Sequence, residues 1–196
     1  MKNIQLFSLL TFLLFSCASS PQKQPLTQAE QAELIGQGNQ IVQQSFQVLS
    51  AELKSALVEG GVQNAVGYCH LKASPIVDSI SKAFNARISR ISIKYRNPAN
   101  SPDTLDITVI NAYARQLAEG QALQPHLEYS GNNVIFYSPI VIQNPMCLLC
   151  HGEPGITIDQ ANYDFIRSKY PKDLATGYQL GDLRGVWKVQ FLSFNQ

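Results

Sequence analysis

The strongest constraint on this chain is the pentapeptide Cys147-Leu148-Leu149-Cys150-His151. Two thiols separated by two residues and followed at once by an imidazole form the attachment signature of c-type haem. Cysteines three apart reach the two vinyl groups on one edge of a porphyrin, and the adjacent histidine falls beneath the ring as an axial iron ligand. With four cysteines and three histidines in 196 residues, the pattern arises by chance in roughly one chain in a thousand.

The beginning of the chain bears on where such chemistry takes place. Residues 1–17 carry Lys2, an apolar run over 6–15 broken by Ser8 and Thr11, and then Ser16-Cys17. This is the pattern of a secretory signal, too short to span a bilayer permanently. Leu14-Phe15-Ser16-Cys17 resembles a bacterial lipobox, which predicts cleavage before Cys17 and a lipid on that residue. A plain secretory signal is the alternative, and both export the protein. Export agrees with haem attachment, which in bacteria occurs outside the cytoplasmic membrane. The expected location is the periplasm or outer membrane of a Gram-negative bacterium, with membrane contact through the lipid anchor. Residues 18–26 are small, polar and Pro-containing and read as a flexible tether, which leaves 27–196 as one domain. A formal net charge of +1 provides no basic field for nucleic acid. The cysteines then divide as Cys17 to lipid, Cys147 and Cys150 to haem, and Cys69 unassigned.

Periodicity predicts an α+β arrangement. Over 27–57, Leu34, Ile41, Val42, Phe46, Leu49, Leu53 and Leu57 recur at helical spacing, Thr27 and Glu30 form a capping box, and Gly60-Gly61 marks the stop. Gly36 and Gly38 count against an unbroken helix. A second helix over 62–84 aligns Val62, Val66, Cys69, Ala73, Ile76, Val77, Ile80 and Phe84 on one stripe, which turns Cys69 inward and leaves His70 near the stripe's edge. Pro75 predicts a kink there. A strand follows over 88–95, a helix over 104–117, a hairpin with strands over 126–129 and 134–142, a short helix over 159–169 and a final strand over 186–194. About four strands with helices concentrated at the front make an antiparallel sheet domain, with the pentapeptide in a loop.

Three segments carry a family resemblance: 65–75 (AVGYCHLKASP), 93–100 (IKYRNPAN) and 147–152 (CLLCHG). In this order they resemble single-haem, PAS-like domains of exported bacterial proteins, known from a cyanobacterial haem protein and from sensor regions of histidine kinases. The resemblance spans about 30–194 and implies a PAS-like sheet with one covalent haem c, its iron held by His151 on one side and Cys69 on the other. His70 is the alternative to Cys69, with His126, Met146 or an open site behind it. Arg96 and Asn97 are candidates for a haem propionate or for a turn. Trp187 and Phe191 are core or pocket wall.

The resulting expectation is an exported mono-haem protein acting as a redox or small-ligand sensor, or as an electron carrier, with a redox or signalling protein as partner. No transducing domain is recognisable, so a sensory role implies that partner. No catalytic acid-base pair is recognisable either, which makes a peroxidase-like enzyme the alternative rather than the expectation. A further alternative is a zinc or structural module in which Cys147 and Cys150 join two of Cys69, His70, His126 and His151. A thioredoxin-type centre needs a helix starting at the first cysteine, and Gly152-Glu153-Pro154-Gly155 argues against one.

Overall fold

The computed structural model describes residues 26–131 and 133–192. The signal over 1–17, Cys17, the tether as far as residue 25 and Phe194 lie outside the described residues.

Helix α1 (Gln28–Ala83) opens on the expected capping box, in which Glu30 N donates to Thr27 Oγ1 at 3.3 Å and Thr27 N donates to Glu30 Oε2 at 2.7 Å. It bends at Gly60-Gly61, where Gly61 adopts φ 66°, ψ −161°, a backbone state that a side chain would strain. The two arms fold back on one another. Asn64 Nδ2 donates to Ala56 O at 2.9 Å, the Tyr68 hydroxyl donates to the Glu52 carboxylate, and Leu34 and Ile41 share a core with Val77 and Ile80. Three expectations for α1 change. Gly38 does not break the first arm, because it is a close-approach site: a Cβ there would lie 2.4 Å from the Phe136 ring. Pro75 does not divide the second arm, whose backbone leaves the helical range only at Gly60 and Gly61. Pro75 lies on the exposed side, and so does Leu71, whose carbonyl loses its helical partner. Phe46 is 60% exposed rather than inward, and Ser45 takes the buried position.

The sheet contains β1 (Ala86–Ile91), β2 (His126–Ser130), β3 (Asn133–Val141) and β4 (Leu183–Phe191). All pairings are antiparallel in the order β1-β4-β3-β2, so the last strand occupies an interior position. Alternation sorts the side chains onto two faces. Ala86, Ile88, Val134, Phe136, Trp187, Val189 and Phe191 pack under α1, and Ile91, Ile135, Tyr137 and Val186 pack against α2 (Thr104–Ala118) through Val109, Ile110 and Tyr113. Trp187 and Phe191 are therefore core residues. The strand expected over 88–95 ends at Ile91, because Ser92 N turns away to Asn100 O.

Helix α2 starts on a second capping box, Asp103 with Asp106. Asp106 is 2% exposed although it is a carboxylate. It accepts from the Tyr137 hydroxyl at 2.6 Å and lies 2.8 Å from Lys188 Nζ, which also reaches Asp103 at 2.9 Å. These partners satisfy the buried charge and fasten α2 to β3 and β4.

Candidate haem site

The pentapeptide is not a loop but a helical turn. Asn144 Oδ1 accepts from Met146 N at 2.9 Å and starts a 3-10 turn over Pro145–Cys147, which runs into α3 (Leu148–His151). The turn stops at Gly152, whose extended ψ of −157° leaves its N–H bonded to Leu148 O at 3.0 Å. Three residues apart in one helical turn, Cys147 and Cys150 lie on the same side. Both are free thiols and half-buried. Cys150 packs beside Val66, Ile158 and Ile166, in a cluster joining the second arm of α1 to α4 (Gln160–Lys169). Burial raises the Cys150 thiol, opposed by the charge and hydrogen bond of Arg96.

His151 is held through Nδ1, 2.8 Å from Ala175 O. A carbonyl only accepts, so Nδ1 carries the proton and Nε2 presents its lone pair, the form in which imidazole binds a metal. Burial, followed by the charges of Arg184, Arg96 and Arg90, holds the ring well below the usual imidazole range, and the bond to Ala175 opposes this only in part. His151 is therefore neutral at pH 7.

The Ala175 carbonyl is itself fixed. Asp173 Oδ1 accepts from Ala175 N at 2.8 Å, and Asp173 Oδ2 lies 3.1 Å from Arg96 Nη2. The same nitrogen donates to Cys150 O at 2.5 Å and to Ala175 O at 3.3 Å. Tyr178 N donates to His151 O at 3.0 Å and Gly177 N to Gly152 O at 2.8 Å. Segment 173–178 is thus laced along the pentapeptide, with Arg96 as the tie between them.

Cys69 lies one turn beyond Val66 on the second arm of α1, half-buried beside a narrow crevice lined by Leu49, Glu52, Leu53, Tyr68, Ala73 and Ile76. Burial raises its thiol, and Arg90 and Arg96 pull it down. A negative charge on Cys69 would raise the Cys150 thiol further. His70 is separated from this group: it is exposed, with its ring edge-on to Tyr170 at 4.9 Å between centroids. His126 is engaged on β2, with Nδ1 2.9 Å from the Tyr113 hydroxyl and Nε2 3.2 Å from Glu128. Met146 stays in the 3-10 turn. Among the described residues no group of three or more His, Cys, Asp and Glu side chains converges tightly enough to hold a metal ion, so the zinc set is not assembled. Asn97 serves a turn, its Oδ1 accepting from Ala99 N at 3.0 Å.

These residues fit a haem on the chemistry of the donor set. Two free thiols share one face of a turn, the next residue is a neutral imidazole with a free Nε2, and the buried Nε atoms of Arg96 and Arg184 have no hydrogen-bond partner among the described residues. Sequence reasoning missed Arg90, Asp173, Ala175 and Arg184. Arg90 had a legible signal, since it shares the inward face of β1 with Ala86 and Ile88, where an arginine is unusual. A backbone carbonyl such as Ala175 leaves no signature in sequence.

Fold and site together define an α+β domain: a four-stranded antiparallel sheet with helices, on which a Cys-x-x-Cys-His turn is set against a long bent helix. The chain belongs to the Tll0287-like family, whose sequence profile matches residues 22–191. Among solved structures it is similar to the cyanobacterial heme-protein Tll0287, with 26% sequence identity and a TM-score of 0.59 over 80% of this chain and 93% of that one. No curated protein sequence matches it.

Proposed function

We propose that this chain is an exported, single-haem c-type protein, in which Cys147 and Cys150 would tether the ring and His151 and Cys69 would bind the iron. The observation that carries this reading is the bond from His151 Nδ1 to Ala175 O, which orients the one imidazole that directly follows the cysteine pair and leaves its other nitrogen free. Membership in a family that includes a heme-protein supports it. A bound haem supplies one-electron redox chemistry. The chain's own contribution is to hold His151 neutral and oriented and to pack Cys150 against the apolar Val66, Ile158 and Ile166. A thiolate from Cys69 would favour the ferric state; burial raises the Cys69 thiol, and the charges of Arg90 and Arg96 oppose that rise. The role that follows is redox: passing an electron to a partner protein, or reporting the state of the iron to one. The motif over 14–17 supports export and a lipid on Cys17.

The test is an absorption spectrum of the full chain exported from cells that mature c-type cytochromes. The expected result is haem that resists acid-acetone extraction and a six-coordinate ferric spectrum with thiolate character, which Cys69→Ala abolishes and His70→Ala leaves intact. Absence of covalently bound haem sinks the proposal. The two redox roles separate on reduction: a carrier keeps both ligands, and a sensor loses one.

A further inference from the structure

His151 has two ring nitrogens, and which of them is free to bind a metal depends on what the other one meets. Nδ1 meets the Ala175 carbonyl at 2.8 Å. With the proton on Nδ1 this contact is a hydrogen bond; with the proton on Nε2, two lone pairs face each other across the same distance. The position of one backbone oxygen therefore governs the ring.

Ala175 is gripped at both ends. Its N–H donates to Asp173 Oδ1 at 2.8 Å, and its carbonyl accepts from Arg96 Nη2 at 3.3 Å as well as from His151. The two grips hold one another, since Asp173 Oδ2 lies 3.1 Å from the same Arg96 nitrogen. Asp173, Arg96 and Ala175 thus close a ring of contacts around the carbonyl that serves His151. Arg96 also donates to Cys150 O at 2.5 Å, which ties this frame to the pentapeptide itself.

The main chain of Asp173 is held independently of its side chain. Its N–H donates to Tyr170 O at 2.9 Å, its carbonyl accepts from Arg167 Nη1 at 3.1 Å, and Leu174 N donates to Tyr95 O at 2.9 Å. The Asp173 carboxylate itself has no exposed surface. A buried carboxylate is costly unless it is paired, and a turn alone does not call for one, because asparagine or serine makes the same side-chain bond without a charge.

We infer that Asp173 and Arg96 are positioning residues for His151: by holding Ala175 at its N–H and at its carbonyl, they select the tautomer with the proton on Nδ1 and so prepare Nε2 as the donor nitrogen. On the haem reading proposed above, on which this role rests, Nε2 is the nitrogen offered to the iron. Asp173 acts on the ring through Ala175.

The test reads the tautomer directly, by long-range 1H–15N NMR of the full, haem-free chain labelled at the histidine nitrogens, with the His151 signals assigned from their loss in His151→Gln. The expected result is a neutral ring in which Nδ1–H exceeds Nε2–H by at least about tenfold, the effect of one net hydrogen bond. Asp173→Ala, which removes both the acceptor and the charge, lowers that ratio about tenfold. Asp173→Asn keeps an oxygen for Ala175 N and retains most of it. Asp159→Ala, which strips the N-cap of α4 and destabilises a neighbouring helix, leaves it unchanged. Should Asp173→Ala fail to fold, as read by circular dichroism, Arg96→Lys decides: it keeps the charge and loses the planar fork, so a lowered ratio supports the clamp and an unchanged one overturns it. Three results overturn the proposal. They are Nε2–H dominant in the wild type, equal ratios in Asp173→Asn and Asp173→Ala, which makes the effect one of charge alone, and a shift in Asp159→Ala, which makes it one of stability. The haem reading is judged separately, by the absorption spectrum of the exported chain. A wild-type Nδ1–H tautomer without covalent haem overturns that reading and leaves the clamp, and covalent haem with Nε2–H dominant in the haem-free chain does the opposite.

Discussion

The α2 face of the sheet and the surroundings of the pentapeptide treat buried charge in opposite ways. On the α2 face, Asp106, Tyr137, Lys188 and Asp103 form a closed circuit with its donors and acceptors matched, and Tyr113, His126 and Glu128 form a second one at its edge. Around the pentapeptide, the arginines outnumber the acids and two of their nitrogens are idle. The closed circuit fastens a helix. The open one has the composition of a place kept for something else. Buried polar groups are thus separable by a simple criterion, whether the protein alone completes them.

The largest test of this contrast is Asp106→Ala. It strands Lys188 and the Tyr137 hydroxyl at the centre of the closed circuit, and the expected loss is about 3–5 kcal/mol by urea denaturation. On the other side, Asp173→Asn removes the carboxylate that holds Arg96 and keeps the Ala175 cap partly intact. The expected loss for the haem-free chain is about 2 kcal/mol, partly recovered in high salt because the uncovered charge is positive and repelled by its neighbours.

A pH measurement isolates the α2 face. Burial, the hydrogen bond to Asp106 and the negative charges nearby raise the Tyr137 phenol above its ordinary value, and burial raises that of Tyr113. The folded chain keeps these protons after the unfolded chain has lost them. Their contribution is complete below about pH 10 and is lost as pH rises above it, at up to about 1.4 kcal/mol per unit for each phenol. Tyr137→Phe removes one proton from that alkaline slope. The smallest expected effect is also the most diagnostic. Arg90→Gln in the haem-free chain changes stability by less than about 0.5 kcal/mol, or raises it, because the deleted charge has no ion pair among the described residues and only a ring contact with Trp187. A loss of 2 kcal/mol or more in thermal or urea unfolding contradicts the contrast between the two regions.

Much of this architecture is legible in the residues. The capping box at Thr27, the stop at Gly60-Gly61, the hairpin around Gly131, the helix beginning at Asp159 and the final strand all follow from local chemistry, and so does the inward turn of Cys69. The failures are long-range. Gly38 reads as a helix breaker until Phe136 arrives from a strand nearly a hundred residues away. Nothing local marks Asp106 as buried, because Lys188 and Tyr137 cover it from β4 and β3. The turn at 148–151 was hidden because its stop at Gly152 is plain, whereas its start depends on the Asn144 cap. In the candidate site, the motif residues are visible in sequence, and the residues that orient and charge it come from β1, β4 and segment 173–178.

The position of β4 has a consequence for how the molecule is made. Strand β4 leaves the ribosome after β1, β2 and β3 and is inserted between β1 and β3 rather than added at an edge, so the sheet stays open at its middle until residues 183–191 are available. Arg184 and the segment that clasps His151 arrive with or just before that strand. The thiols of Cys147 and Cys150 therefore emerge well ahead of the pieces that enclose them. Until residues 183–191 pair, the turn that carries the two thiols is not yet enclosed.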